Sequence, residues 1–224
     1  MIVVFDWDGT LVDSAGAIVC AMQQAARDVG LRPPTDDAVR FIIGLGLPEA
    51  VRHLYPQGDA AQWHALGQAY SRCYVEQTEQ LPPLFPGALA ALERLRADGF
   101  AVAVATGKSR RGLNRELAVR DMGHLFDLSR CADETRSKPH PLMLQEILAD
   151  SGRHPREAVM VGDTLHDLQM AREAGVMEVA VSFGAHCRER LLDFGPDLLA
   201  DDFCTILEWV YRIRADGCGR LQAR

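Results

Sequence analysis

Ile2-Val3-Val4-Phe5-Asp6-Trp7-Asp8-Gly9-Thr10 (residues 2–10, IVVFDWDGT) sets an apolar, β-branched run directly against two aspartates with one tryptophan between them. A run without alternation is what a strand buried on both faces looks like, as in a parallel sheet covered by helices. Side chains alternate faces along extended backbone, so Asp6 and Asp8 share one side while Trp7 points away and packs as core with Phe5. Similar runs recur at Phe100–Val104, Ala158–Val161 and Val179–Val181. Helical patterns lie between them. Pro86–Asp98 has Pro in its first turn, Leu89, Leu92 and Leu95 at helical spacing, and Gly99 as its stop; Arg110–Met122, Pro141–Asp150 and Leu165–Ala174 continue the alternation. The pattern predicts an α/β fold with a doubly wound parallel sheet.

One interval breaks the rhythm. From Ser14 to about Leu81 no strand pattern is present, only helical stretches punctuated by Gly30, Pro33-Pro34, Gly44-Leu45-Gly46-Leu47-Pro48 and Pro56. Ser14 suits an N-cap and Gly30 a helix stop. An insert of this size exceeds any crossover loop and predicts a small all-helical domain. The expected division is an α/β core from residues 1–13 and 84–224 and a helical domain from 14–83. The segment Arg212–Arg224 is expected to fray.

The chain has 224 residues, 48% hydrophobic and 25% charged, with a formal net charge of −7, which offers no broad basic face to nucleic acid. Neither a signal-like leader nor an apolar run of membrane length is apparent, so a cytoplasmic protein without a membrane partner is expected, as monomer or homodimer. Six scattered cysteines lack zinc-ligand spacing and are expected reduced and mostly buried as small hydrophobes.

In an open α/β sheet the reactive groups gather beyond the carboxyl ends of the strands. There the sequence places Asp6 and Asp8, then Thr106, Gly107 and Lys108, then Lys138, then Asp163 and Asp167. Carboxylates converging at about 4 Å repel by roughly 4 kcal/mol per pair at an effective dielectric near 20, and a divalent cation removes that cost. Oxygen-only ligands suit Mg²⁺. The hydroxyl and backbone N–H groups of Thr106-Gly107-Lys108, where a helix begins, form a seat for an anion, and Lys138 adds positive charge. Metal, anion seat and carboxylate nucleophile together describe phosphoryl transfer through an aspartyl-phosphate.

The sequence strongly resembles the haloacid dehalogenase superfamily. Asp6-Trp7-Asp8-Gly9-Thr10 matches its D-x-D-G-T motif, Thr106 in VAVATGKS its second motif, Lys138 in SKPHP its third, and Gly162-Asp163-Thr164-Leu165-His166-Asp167 its G-D-x-x-x-D fourth. The resemblance runs to about Phe203 and takes in the helical insert, which looks like the cap of members of the phosphoglycolate phosphatase type. It implies a Rossmann-like core and a Mg²⁺-dependent phosphatase acting on a small phosphorylated metabolite, phosphoglycolate-like or a sugar phosphate. It further implies that Asp6 is the nucleophile and a metal ligand. Asp8 becomes the acid and then the base, binding metal through its main-chain carbonyl. Thr106 and Lys138 hold the phosphoryl group, Asp163 binds the metal, and Asp167 steadies Lys138 and metal-bound water.

Plainer readings compete with each of these. Asp8 alone suits a turn before glycine, Thr106 a helix cap, Lys138 a solvated surface, and Asp167 a helix start. His140 and His166 lie near the site by sequence. The loop Gly44–Glu49 is either a substrate-choosing loop or an ordinary helix–helix turn, and Arg40, Arg52 and Lys108 are candidates for a distal anionic group. A sugar phosphomutase shares the core; Asp8 disfavours a dehalogenase. A phospho-receiver would carry its acceptor on a middle strand, and a silent binding module would have lost one of the acidic or basic groups.

Overall fold

The computed structural model describes residues 1–78 and 81–217. Six strands, β1 (Ile2–Phe5), β2 (Ala101–Thr106), β3 (Leu128–Cys131), β4 (Ala158–Gly162), β5 (Met177–Val181) and β6 (Leu198–Ala200), form one sheet in the order β3-β2-β1-β4-β5-β6. All pairings are parallel. The doubly wound sheet expected from the sequence is therefore present. Its strand order reverses at β1, and Phe5 stands level with Val104 of β2 and Val161 of β4. That register delivers Asp6, Thr106 and Asp163 to one edge, at the switch point where such sheets bind ligands.

β3 and β6 had no counterpart among the expected runs. Both are edge strands: β3 reads Leu-Ser-Arg-Cys, without the apolar run of a strand buried on both faces, and β6, Leu-Leu-Ala, is apolar but only three residues long. β2 begins one residue later than Phe100 and continues to Thr106, making that threonine the strand's last residue.

The helices are α1 (Ala15–Asp28), α2 (Asp36–Ile42), α3 (Leu47–Leu54), α4 (Ala60–Gln77), α5 (Ala88–Ala97), α6 (Arg110–Arg120), α7 (Leu142–Ser151), α8 (Leu165–Ala174), α9 (Arg188–Phe194) and α10 (Phe203–Ala215). Pro86 lies ahead of α5 rather than in its first turn. α6 stops two residues short of Met122, where Asp121 takes the left-handed conformation. The expected fraying from Arg212 does not hold as far as Ala215, because α10 buries Ile206, Trp209, Val210 and Ile213; residues 218–224, with Cys218, lie outside the described residues. The described cysteines are free thiols, but they are not mostly buried as expected: Cys73 and Cys131 are, whereas Cys20, Cys187 and Cys204 are exposed. No helix is long and apolar enough to cross a membrane among the described residues.

Helices cover both sheet faces. Val3, Phe5 and Trp7 pack with Val104, Val161 and the apolar sides of α5 and α10, while Ile2 and Val4 face α7 and α8. Each large side chain so buried contributes about 1.5–3 kcal/mol relative to exposure. Trp7 is fully buried, as the strand pleat requires.

α1 to α4 enclose a core of their own, including Ile18, Met22, Val39, Ile42, Val51 and Leu66. The two passages joining them to the sheet are tied together: Asp13 N–H donates to the Pro83 carbonyl at 2.9 Å and Phe85 N–H to that of Leu11 at 3.0 Å. Ser14 occupies the N-cap position of α1, but its hydroxyl makes no cap bond. It donates instead to Asp8 Oδ1 at 2.6 Å.

Candidate active site

The carboxylates of Asp6, Asp163 and Asp167 converge at the edge of β1 and β4, with one oxygen from each within 4.8 Å of the others, and all three are buried. One ammonium enters this cluster. Lys138 Nζ, itself buried, donates to Asp6 Oδ1 and Asp167 Oδ1, both at 2.6 Å. Three carboxylates thus face a single lysine, leaving two negative charges unbalanced at full ionisation.

The electrostatic result follows. Burial, with Asp167 and Asp163 adding to it and Lys138 opposing, holds the Asp6 carboxyl well above the usual carboxylate range. Burial and Asp167 push Asp163 up to about 7, against the bonds it accepts. Burial disfavours charge on Lys138 too, yet Asp167 and Asp6 outweigh it and raise its pKa.

The local sequence places each group. Gly9, at φ +86°, carries the chain past Asp163, and a β-carbon there would stand 2.1 Å from Asp163 Oδ2. Thr10 Oγ1 donates to Asp163 Oδ1 at 2.8 Å and Ala185 N–H to Oδ2 at 2.7 Å. Asp167 has two tasks: its Oδ1 accepts from Lys138, and its Oδ2 accepts from the Thr164 N–H and hydroxyl in a capping box that opens α8. Asp167 thus opens the helix, as the plain reading has it, and also accepts from Lys138.

Asp6 Oδ2 is buried without a hydrogen-bond partner. An orphaned, buried carboxylate oxygen beside a second acidic group, in a cluster short of two positive charges, fits a small divalent cation with oxygen ligands. Asp6 and Asp163 would offer side-chain oxygens to such an ion, whereas both oxygens of Asp167 are already engaged by Lys138 and Thr164. The Asp8 side chain stands outside the cluster, compatible with a contribution from its main-chain carbonyl alone.

Thr106 is buried at the end of β2, and its Oγ1 accepts the Lys108 N–H at 3.1 Å. α6 starts at Arg110 with Ser109 as its N-cap, so Thr106 ends the strand and Gly107-Lys108 lie in the loop before the helix rather than in its first turn. The Lys108 ammonium is not held out toward a ligand. It lies 3.0 Å from Asp8 Oδ1, 3.0 Å from Glu116 Oε1 and 3.2 Å from the Tyr74 hydroxyl. Trp7 Nε1 donates to the other Glu116 oxygen at 2.8 Å.

Of the stretch Gly44 to Glu49, Gly44 to Gly46 lie between α2 and α3, while Leu47 to Glu49 form the first turn of α3. Gly46 N–H donates to Ser137 Oγ at 2.7 Å, next to Lys138, and Gly44 lies against Thr164 and His166. His166 and His186 both approach the Phe41 carbonyl through Nε2, at 2.8 and 3.2 Å. Burial lowers the pKa of both, His186 to about 4, so they sit as neutral rings. His140 is elsewhere engaged, accepting the Leu142 N–H near the start of α7. Arg52 is exposed, pairing with Glu49 at 3.7 Å and lying over the Trp63 ring; Arg40 is half-buried on α2.

Glu116, Tyr74 and His186 were not singled out from the sequence, and Ser14 was read only as an N-cap. For Glu116 a signal existed: it falls three residues after Leu113 on the buried side of α6, where an unpaired carboxylate would be costly. Nothing local marks the contact of Tyr74 with Lys108 or that of His186 with Phe41, whose partners are 34 and 145 residues apart.

The model of the family described as "Haloacid dehalogenase-like hydrolase" matches residues 3–181. The "Probable phosphatase IndB" of Dickeya dadantii is 35% identical over 211 residues, covering 92% of this chain and 91% of that protein. The phosphoglycolate phosphatase of Aliivibrio fischeri is 30% identical over 214 residues, covering 92% and 94%. Among solved structures, that described as a predicted phosphoglycolate phosphatase from Haemophilus somnus 129PT superposes with a TM-score of 0.82 at 27% identity, covering 93% of this chain and 96% of that one. With its acidic cluster, its buried lysine and a family match that spans every motif from Asp6 to Asp167, the chain belongs to the haloacid dehalogenase-like hydrolase family, as one of its phosphatase-like members.

Proposed function

We propose that the protein is a Mg²⁺-dependent phosphatase that hydrolyses a small phosphomonoester, phosphoglycolate-like or a sugar phosphate, through an aspartyl-phosphate on Asp6. The observation that carries this reading is the unpartnered Asp6 Oδ2 inside a cluster whose one ammonium already bridges Asp6 and Asp167.

Asp6, the Asp8 main-chain carbonyl and Asp163 hold the cation, and Asp167 steadies Lys138. When bound, the cation offsets the charge of the carboxylates and of the phosphoryl oxygens. Thr106, the Gly107 backbone and Lys138 orient the phosphoryl group. An Asp6 oxygen attacks phosphorus as the bond to the leaving oxygen breaks, and that oxygen takes its electron pair and a proton from Asp8. Water then attacks phosphorus, gives its proton to Asp8 and displaces Asp6, restoring both aspartates. Residues 14–83 act as a cap, and the loop Gly44–Glu49 excludes water and selects the ester.

The test is phosphate release from an aryl phosphate and from a panel of small esters including phosphoglycolate, with and without Mg²⁺. Metal-dependent release that disappears in Asp6→Asn is expected. Full activity in that variant, or no release by the wild type, would end the proposal.

A further inference from the structure

The Asp8 carboxylate is gripped by groups outside the acidic cluster. Both of its contacts fall on Oδ1, from the Ser14 hydroxyl at 2.6 Å and the Lys108 ammonium at 3.0 Å. A lysine on a four-carbon stem is a mobile charge unless something fixes it. Here Glu116 Oε1 holds Nζ at 3.0 Å, the Tyr74 hydroxyl stands 3.2 Å away, and Nζ also lies 4.6 Å above the Tyr74 ring. Glu116 is in turn fixed through its second oxygen by the Trp7 indole N–H, so the residue between the two aspartates of the motif anchors the far end of the chain of contacts.

The network joins two bodies. Lys108, Glu116 and Trp7 belong to the sheet and its helix α6, whereas Tyr74 comes from α4 of the insert. Buried ion pairs often add little net stability, since desolvation cancels most of the attraction. What this one does is fix geometry: it aims a single ammonium at one oxygen of Asp8. The phenol reaches it only while α4 is seated over the core. Burial opposes charge on Lys108, but Asp8, Tyr74 and Glu116 keep it protonated.

We propose that Glu116 and Tyr74 are positioning residues that hold Lys108 so that its ammonium fixes the orientation of Asp8 for proton transfer, and that the Tyr74 contact makes this orientation depend on the seating of the cap. The inference rests on the phosphatase reading above and adds to it. Lys108 then acts through Asp8 rather than as a ligand for the substrate.

The experiment compares leaving groups. An alkyl phosphate leaves as an alkoxide and needs a proton from Asp8; 2,4-dinitrophenyl phosphate leaves as a stable phenolate and needs none. Tyr74→Phe, which keeps the ring and loses only the hydroxyl, and Glu116→Gln are assayed in single turnovers with Mg²⁺. The alkyl probe is the ester the wild type turns over fastest in the panel. Both variants are expected to slow the alkyl ester by at least about tenfold while first-turnover dinitrophenolate release changes by less than about threefold. KM and calorimetric Mg²⁺ affinity are expected to stay near wild type. Equal losses on both esters, or loss on neither, would overturn the positioning role. A wild type inactive on every ester would instead remove the phosphatase reading, and this inference with it.

Discussion

Gly107 meets Leu45 across the boundary between sheet and insert: a β-carbon on Gly107 would stand 2.5 Å from the Leu45 carbonyl oxygen and 2.6 Å from that of Gly44. Real β-carbons do not approach backbone so closely, and Gly107 is not among the residues with positive φ. Alanine therefore suits the local backbone at 107 but not the neighbouring loop. Gly107→Ala is expected to push the Gly44–Glu49 loop off the site and lower kcat/KM by about 10²-fold, the cost of roughly 1 Å of misplacement, with a melting temperature close to wild type. Unchanged kinetics would show that the loop does not need this approach.

Lys138 is the only ammonium bridging Asp6 and Asp167 among the described residues. Lys138→Met leaves both carboxylates buried without it, a change of the kind that costs about 3–5 kcal/mol when one partner of a buried pair is removed. Urea unfolding at neutral pH measures this directly. A loss below about 1 kcal/mol, the range of exposed pairs, would mean that water or relaxation compensates the carboxylates.

How far the sequence carried is plain from particular residues. The runs at Ile2–Phe5 and Ala158–Val161 identified central strands because both of their faces are covered, and the residues that follow them identified the acidic cluster. β3 escaped because an edge strand need not be apolar, and β6, Leu-Leu-Ala, because three residues are too short to read as a run. Lys108 is the instructive case in the site. Its position after Thr106 suggested an anion ligand, but its ammonium lies between Glu116 and Tyr74, and the contact with Tyr74, 34 residues away on a different helix, leaves no local pattern. Ser14 likewise has the residue type and place of a cap, while its hydroxyl serves Asp8.

Asp163 ties stability to pH in the metal-free protein. Its carboxyl rises from 3.8 to about 7 through burial and Asp167, and Asp6 is raised as well. Between those two pH values the folded state keeps a proton that the unfolded chain releases. The stabilisation is full below the unfolded value and lost as pH climbs through the folded one, so stability falls across the window, by up to about 1.4 kcal/mol per pH unit for one group. The proposed Mg²⁺ would bind the deprotonated carboxylates, and its addition is expected to raise the urea midpoint more at about pH 7 than at about pH 5. A metal-free midpoint that rises with pH over this range would contradict the reading of the cluster.

Asp8 separates from the other aspartates in its partners, and its loss is expected to separate in its effects. Asp8→Ala keeps the main-chain carbonyl proposed for the cation and leaves Asp6, Asp163 and Lys138 with the contacts they make to one another and to Asp167. Lys108 retains Glu116 and Tyr74. Calorimetric Mg²⁺ affinity is therefore expected to stay within a few-fold of wild type, while kcat falls by about 10²- to 10⁴-fold, the usual contribution of a positioned acid and base. The deficit is expected to be greatest for alkyl esters, whose leaving oxygen must be protonated. If kcat held while Mg²⁺ affinity collapsed, Asp8 would be a metal ligand through its side chain, and proton transfer would have to come from another group.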